Sequence, residues 1–424
     1  MHDAHIHLDE MSKMEGQACL DVVVKKGKVE DVKLKVAENK RFFEQACVGK
    51  KFKEIPMLVS RVCGTCSAAH LLASIEGIEQ AFDFQASEQT VLLRKLLLFG
   101  EMIRDHGMHL YYFCLPDIFG KDSILEFEGP LHKWLHDSMD VRGSGTKLSD
   151  WIGGRSIHPI TPIVGGFSKI PPMSEVHEIK HELEHAREKA VLLVEQFFRQ
   201  PIDFERKTNH VALVTEDYSF LKGVIKTSSG ESVEESDFAR HLDEVVMPYS
   251  NATGFTFEGK EYSVGALSRL VLNQRALHKN TREELKRHLK VFPNNDPFTN
   301  TLAQAIEIVH CIDYSLELLE GLDLKPEKPG ILEPVESRGV GCIEAPRGTL
   351  YYSMFFGNDG ICSKAEIVIP TAQNLRNIER DVKEYLPSIL HRKREDIELG
   401  IESLVRAYDP CLSCATHFLK VKWK

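Results

Sequence analysis

The two segments that decide the fold are RVCGTCSAAH, residues 61–70, and DPCLSCATH, residues 409–417. Each contains a Cys-x-x-Cys pair, Cys63/Cys66 in the first and Cys411/Cys414 in the second. A turn of this spacing lets two thiolates point at one soft metal ion. Four thiolates together are enough for an all-sulfur site. The spacing therefore predicts a fold that brings the two ends of the chain to one buried metal.

The cysteine pattern alone leaves other interpretations open. A structural zinc site uses the same four ligands, although its pairs usually close a small local module and these lie at opposite ends of the chain. A thioredoxin-type dithiol needs only one pair, within a βαβ unit. Each pair is followed closely by a histidine, His70 or His417. Distant pairs with a neighbouring histidine favour a functional metal.

Composition excludes several classes of protein. The chain has 424 residues, of which 42% are hydrophobic and 27% charged, and a net charge of −10. This balance is typical of globular proteins and argues against sequence-independent nucleic-acid binding, which needs clustered positive charge. Ten cysteines are too few for a disulfide scaffold, so a reducing compartment is expected. We see no apolar run long enough to span a membrane and no signal-peptide core, which favours a cytoplasmic chain unless an exported partner carries it.

Hydrophobic periodicity predicts one helix-rich α+β domain over residues 1–424, with long central helices and small peripheral sheets. A valine-rich hairpin is expected at Cys19–Val24 and Val29–Val36. Pro116 is expected to end the first long helix, and Ser174 to cap the second. The predicted helices are Ala86–Cys114, Ser174–Gln200, Asn300–Leu322, Ala372–Tyr385 and Arg394–Tyr408, with short strands over 208–265 and strands over 339–371.

The two cysteine segments resemble those of the large, catalytic subunit of nickel-iron hydrogenases, and the resemblance runs from about Glu15 to His417. It implies that Cys63 and Cys411 are terminal thiolates on nickel. Cys66 and Cys414 would then bridge nickel to an iron that carries carbonyl and cyanide ligands. His70 would donate a hydrogen bond to a bridging sulfur.

The resemblance also assigns two carboxylates outside the cysteine segments. Glu15, in Met14-Glu15-Gly16, would carry protons away from a terminal cysteine. Glu44, in RFFE at 41–44, would help hold a magnesium (or iron) ion near the C-terminus, together with His417 and the backbone carbonyl of Ile367.

A carboxylate–arginine group over the metals is a further feature that the resemblance implies. Asp105 and Arg347 would belong to it, and Asp409 would pair with Arg347. Pro346, in the segment APRG at 345–348, and Thr371, in IPT at 369–371, would line the cyanide pockets. The Thr371 hydroxyl would hydrogen-bond one cyanide.

The implied reaction is the reversible, heterolytic cleavage of H2 into protons and electrons. The chain has no further cysteine motif for electron-carrying clusters, so an iron-sulfur small subunit is expected as partner. The sequence is most similar to the cytoplasmic bidirectional group, which passes electrons through further, diaphorase-like subunits to NAD(P), deazaflavin or a disulfide-reducing complex. No G-x-G-x-x-G motif is present, so such a cofactor would bind a partner.

The family also implies maturation partners. In the family, nickel-insertion proteins load the site and a protease then removes a short C-terminal extension after the histidine. Residues 418–424 would be that extension in this chain.

Two rivals to the hydrogenase interpretation are a non-catalytic relative and a structural zinc protein with four cysteine ligands. The quinone-site subunit of respiratory complex I is such a relative, but it lacks the four cysteines that are present here. A third pattern, His5-Ile6-His7, resembles the start of metal-dependent amidohydrolases. Those enzymes need further ligands on later barrel strands, and the eight-fold βα rhythm is missing. We therefore expect a disordered or surface N-terminal tail.

Overall fold

The computed structural model describes residues 4–9, 11–201 and 204–416. The helices of this part are α1 Phe43–Cys47, α2 Ile55–Val59, α3 Ser67–Ala81, α4 Glu88–Met108, α5 Leu115–Ile118, α6 Lys133–Gly153, α7 Val176–Phe198, α8 Ala266–Asn273, α9 Lys279–Glu284, α10 Thr299–Leu319, α11 Pro370–Ile389 and α12 Arg394–Ala407. Among these described helices, none has both the length and the apolar character that a membrane crossing requires.

The strands within the described residues form five small sheets. In chain order they are β1 Ala4–Leu8, β2 Ala18–Lys25, β3 Lys28–Val36, β4 Pro162–Ile163, β5 Gly166–Phe167, β6 Asn209–Val214, β7 Val224–Thr227, β8 Ser232–Val233, β9 Leu242–Val245, β10 Gly254–Phe257, β11 Tyr262–Ser263, β12 Ser337–Ala345, β13 Gly348–Phe356 and β14 Cys362–Val368. The sheet orders are β1-β2-β3, β4-β5, β11-β6-β7-β8, β9-β10 and β12-β13-β14, and all pairs except β11–β6 are antiparallel.

Four long helices, α4, α6, α7 and α10, form the centre of the molecule. α4 packs on α6 and α10, and α7 packs on the same two helices, so the four make a bundle. α4 and α6 approach through glycines, since a Cβ at Gly145 would lie 2.7 Å from the carbonyl oxygen of Gly100. The predicted α+β fold with long central helices is confirmed.

The first predicted long helix continues beyond its expected end. α4 passes through a π-helical segment, His109–Cys114, into α5. Pro116 lies in the first turn of α5, after the π-helical segment, and the chain stays helical as far as Ile118. The prediction that Pro116 ends the helix is therefore wrong. The predicted Ser174 cap is also wrong, because α7 begins after Glu175 without a side-chain cap.

The sheets at the two ends of the chain follow the predicted pattern more closely. The predicted hairpin is β2–β3, with Lys26 and Gly27 at positive φ in its turn. β12, β13 and β14 form the predicted C-terminal sheet, and α3 packs against β12 and β13. For the N-terminus the sequence predicts either disorder or a surface position. Disorder is wrong for Ala4–Leu8, because β1 pairs with β2 along its whole length, and the surface position is confirmed. His5 and His7 are exposed on that strand.

Candidate metal centre and its surroundings

The four cysteines of the two pairs meet in the interior; we call them the sulfur cluster. The sulfur atoms of Cys63 and Cys411 lie 3.6 Å apart, and those of Cys66 and Cys414 lie 3.8 Å apart. Within the second cysteine loop, the sulfur atoms of Cys411 and Cys414 lie 2.9 Å apart. All four are buried free thiols. The expected meeting of the two ends of the chain is therefore confirmed.

Backbone contacts from the N-terminal region hold the second cysteine loop in place. The N–H of Leu412 donates to the carbonyl of Glu15 at 2.8 Å. Gly16 has a φ of +92°, and a Cβ there would lie 3.0 Å from the backbone nitrogen of Ser413. This close approach and the left-handed conformation both favour glycine.

Arg41 joins the two cysteine loops directly. Its guanidinium donates to the carbonyl of Val62 at 2.8 Å and also to the carbonyl of Ser413. The first carbonyl precedes Cys63, and the second precedes Cys414. Sequence reasoning noted Arg41 only as part of a motif, because its two acceptors are backbone atoms that no side-chain pattern reveals.

The sulfur cluster suits a soft metal. Metal–sulfur bonds of about 2.3 Å around one or two ions would keep sulfur atoms within roughly 4 Å of each other. Hydrogen bonds from the neighbouring thiols lower the pKa of Cys63 well below its usual range, whereas burial raises the pKa of Cys411 and Cys414. A bound cation would favour the thiolate form of all four. Ligand atoms of Cys63, Cys66 and Cys414 all lie within 4.8 Å of one another.

Arg347 lies buried beside the sulfur cluster between two aspartates, and we call Asp105, Arg347 and Asp409 the canopy. Arg347 Nη1 contacts Asp105 Oδ2 at 2.8 Å, and Nη2 contacts Asp409 Oδ1 at 3.1 Å. Its Nε donates to the backbone carbonyl of Asp409 at 2.8 Å. Burial raises the pKa of Asp105 to about 6, although the charge of Arg347 opposes this rise.

Glu15 lies between the sulfur cluster, the canopy and the solvent. Its Oε1 is 3.5 Å from Cys63 Sγ, and its Oε2 is 3.4 Å from Arg347 Nη2. The Thr65 hydroxyl donates to Oε2 at 2.8 Å. Burial raises the pKa of Glu15, yet 24% of its side chain is exposed. Sequence reasoning missed Thr65, which lies inside the first cysteine pair.

A family model described as nickel-dependent hydrogenase matches residues 41–128 and 200–417. Sulfhydrogenase 1 subunit alpha of Pyrococcus furiosus is 33% identical over 422 residues, covering 98% of this chain and 98% of the relative. The chain belongs to the nickel-dependent hydrogenase family. Sulfhydrogenase 2 subunit alpha of the same organism is 31% identical, covering 98% of this chain and all of the relative.

Solved structures agree with this assignment. The crystal structure of an NAD+-reducing NiFe-hydrogenase in the H2-reduced state has a TM-score of 0.83 at 25% identity, and the match covers 98% of this chain and 99% of that chain. The reduced Ni-Fe-Se hydrogenase of Desulfovibrio vulgaris Hildenborough shares the fold, with a TM-score of 0.75 at 19% identity over 98% of this chain and all of that chain. The predicted identity as the large subunit of a nickel-dependent hydrogenase is confirmed.

In this hydrogenase, His70 lies on the first turn of α3 and is fully buried. Its Nδ1 is 2.7 Å from the Tyr352 hydroxyl, and burial lowers the pKa of His70 to about 4. The imidazole is therefore neutral at physiological pH. Its predicted hydrogen bond to a bridging sulfur stays a prediction.

Thr371 contacts the second cysteine loop, and Pro346 contacts Arg269. The backbone N–H of Cys411 donates to the Thr371 hydroxyl oxygen at 3.0 Å, so the hydroxyl hydrogen is available to another acceptor. Pro346 comes immediately before Arg347, and its carbonyl accepts a hydrogen bond from Arg269. Their predicted contacts with cyanide ligands stay predictions.

The structure also brings together Glu44 of α1 and Ile367 of β14. The N–H of Ile367 donates to Glu44 Oε1 at 2.7 Å. His417, the third member of the predicted magnesium site, lies outside the described residues, as does the segment 418–424.

Proposed function

We propose that this hydrogenase cleaves and forms H2 reversibly and heterolytically at a nickel–iron centre held by the sulfur cluster. The observation that carries the proposal is the convergence of four buried free thiols beneath one buried guanidinium. Cys63 and Cys411 would hold nickel, and Cys66 and Cys414 would hold both nickel and an iron with carbonyl and cyanide ligands. Thiolates suit such soft or borderline ions.

The metal centre, when bound, would supply the Lewis acidity that polarises H2. The role of Arg347 is to hold a fixed positive charge beside the reacting atoms, where burial strengthens its field. Asp105 and Asp409 keep the guanidinium plane in one orientation, since each takes a different nitrogen of it. Thr371 and the turn at Pro346 would line the cyanide pockets.

Glu15 would carry the proton between the site and the outside. Its Oε1 is in contact with Cys63 Sγ, so a proton held on that sulfur can pass directly to the carboxylate. The raised pKa allows Glu15 to take and release protons nearer to neutral pH than an exposed glutamate does. Thr65 holds the other oxygen, so Oε1 stays directed at the sulfur.

We further propose a magnesium (or iron) site formed by Glu44, His417 and the carbonyl of Ile367. Glu44 Oε1 already contacts the backbone of Ile367, and a carboxylate and a carbonyl are ligands that magnesium prefers. Residues 1–424 would form one domain, from which a maturation protease removes 418–424 after nickel insertion.

The electrons would leave through an iron-sulfur small subunit and then further electron-transfer subunits, in the cytoplasm. The similar NAD+-reducing NiFe-hydrogenase supports a soluble acceptor such as NAD(P) or deazaflavin.

The test is purification of the native complex under anaerobic conditions, followed by H2-dependent reduction of a viologen dye, NAD+, NADP+ and deazaflavin in parallel. Dye reduction together with one soluble acceptor is expected. Matured complex that reduces no dye under H2 would overturn the proposal.

A further inference from the structure

Arg269 is a fully buried arginine of α8 that lies behind the canopy rather than in it. Its Nε and Nη2 donate to the two carboxylate oxygens of Glu307 at 2.7 Å, and its Nη1 donates to Glu344 at 2.7 Å. The remaining two N–H groups donate to the backbone carbonyls of Ala345 and Pro346, each at 3.0 Å. All five N–H donors of the guanidinium are therefore used.

The two carboxylates that hold Arg269 are themselves fully bonded. Glu307 also accepts from the Tyr218 hydroxyl at 2.7 Å and faces His106 Nε2 at 2.9 Å. Glu344 also accepts from the Thr349 hydroxyl. Burial opposes the charge of Glu307, but the charge and hydrogen bonds of Arg269, together with those of His106, outweigh it and lower the pKa of Glu307 to about 2. The Arg269–Glu307 pair is therefore charged at all physiological pH values.

This network reaches the canopy from two sides. Arg269 holds the carbonyls of Ala345, the last residue of β12, and of Pro346, which comes directly before Arg347 in the turn to β13. His106, which binds Glu307, comes directly after Asp105 on α4. One buried ion pair thus fixes the backbone that carries the canopy arginine and the helix that carries its aspartate partner.

We propose that Arg269 is a positioning residue that sets the distance and angle between Arg347 and Asp105, and through them the placement of positive charge beside the metal centre. The inference rests on the proposed function of the canopy. A lysine at 269 would keep the charge next to Glu307. It could not donate to both carboxylates and both carbonyls at once, because an ammonium has three donors and lacks the planar fork.

Arg94 and Glu79 provide a matched control for a purely structural role. They form another buried pair with two hydrogen bonds, at 2.7 and 2.6 Å, and Glu79 also accepts from the backbone N–H of Gly165 at 2.8 Å. This pair joins α3 to α4, and Arg94 lies about three turns before the canopy residue Asp105 on α4. Arg94→Lys therefore removes a comparable buried fork without touching the turn at Arg347.

The experiment compares Arg269→Lys, Arg94→Lys, Arg347→Lys and the unmodified complex. Nickel and iron content, Tm and the rate of H2–D2O isotope exchange are measured at several H2 pressures. We expect Arg269→Lys to keep both metals and to lower the maximal exchange rate by about 10- to 100-fold, because small displacements of a positioned group cost rates of this size. The KM for H2 should change less than about twofold, since the lost interaction acts in the transition state. Arg94→Lys should keep the exchange rate within about twofold, at a similar loss of Tm.

Two outcomes would overturn the inference: a fully metallated Arg269→Lys complex with at least half of the normal exchange rate, or equal rate losses in the Arg269 and Arg94 variants. If Arg347→Lys also retains full exchange, the proposed role of the canopy fails as well. If only Arg269→Lys retains it, the failure is confined to this inference.

If Arg269→Lys does not fold, a second pair of variants with smaller changes tests the same inference. In Glu344→Gln one of the two acceptor oxygens becomes an NH2 group, which must then face Arg269 or another hydrogen-bond donor. Glu79→Gln makes the same change at the control site. A slower exchange in Glu344→Gln alone, with both metals bound, supports the inference. Loss of metal from both network variants, while the control variants keep theirs, contradicts it, because the network would then serve the fold and not the canopy.

Discussion

The sulfur cluster and the canopy lie side by side, yet they are stabilised in different ways. The segment 409–414 supplies Cys411 and Cys414 to the sulfur cluster and Asp409 to the canopy. The sulfur cluster consists of four like groups, and burial opposes the ionisation of Cys411 and Cys414. The canopy joins one guanidinium to two carboxylates, so opposite charges attract each other there without a metal. The protein therefore makes the canopy by itself, whereas we expect the sulfur cluster to need a bound cation.

The largest effect should come from the sulfur cluster. We expect Cys411→Ser to lose nickel and H2 cleavage together, because a serine hydroxyl is a harder and far less acidic ligand than a thiol. Cys311→Ser, a buried cysteine of α10, is the matched control and should keep both. Metal analysis and H2-dependent dye reduction check this. Full activity in a Cys411→Ser enzyme that still binds nickel would show that the Cys411 thiol is not needed, which would contradict the proposed role of the sulfur cluster.

The canopy should behave in the opposite way, with metal retained and activity lost. Arg347→Lys removes the fork that contacts both aspartates, so we expect a loss of about 100- to 1,000-fold in dye reduction, the range seen when a preorganised donor is removed. Nickel and iron content should stay normal. A variant that loses its metals would show that the canopy is part of the metal site and not independent of it.

Glu15 joins the two regions, and its removal should have the next largest effect. Glu15→Gln keeps the shape of the side chain and the contact with Thr65 but cannot carry a proton, so we expect dye reduction to fall by roughly 100-fold. Glu15→Asp should recover part of the rate. Metal content should not change in either variant. Normal turnover of Glu15→Gln would mean that protons leave by another route.

Thr65 should give the smallest effect. Thr65→Val removes the hydroxyl that holds Glu15 Oε2, a hydrogen bond whose loss costs about 1 kcal/mol. We expect dye reduction to fall roughly threefold to tenfold, and Thr65→Ser to restore it. If Thr65→Val and Thr65→Ser have equal rates, the hydroxyl does not orient Glu15.

The sequence predicts those features that local patterns encode. The cysteine pairs, the β2–β3 hairpin and the C-terminal sheet follow from spacing and alternation, and the structure confirms them. The contacts of Arg347 with its aspartates were expected only through family resemblance, because residues so far apart in the chain give no local signal.

Other features could not be predicted from the sequence, because they depend on contacts between residues that are far apart in the chain. α6 is not among the predicted helices. Its Gly145, which weakens a helical pattern, allows α4 to approach closely. Arg41 donates to two backbone carbonyls, so no complementary side chain marks it in the sequence. Arg269 pairs with Glu307 and Glu344, which lie 38 and 75 residues further along the chain and give no local signal.

The most direct test is elemental analysis of the purified complex combined with infrared spectroscopy between the protein amide and C–H bands. We predict nickel and iron in the large subunit, with carbonyl and cyanide bands that disappear in Cys411→Ser. Zinc alone in fully matured protein, without those bands, would mean that the four cysteines form a structural site and would contradict the proposed function.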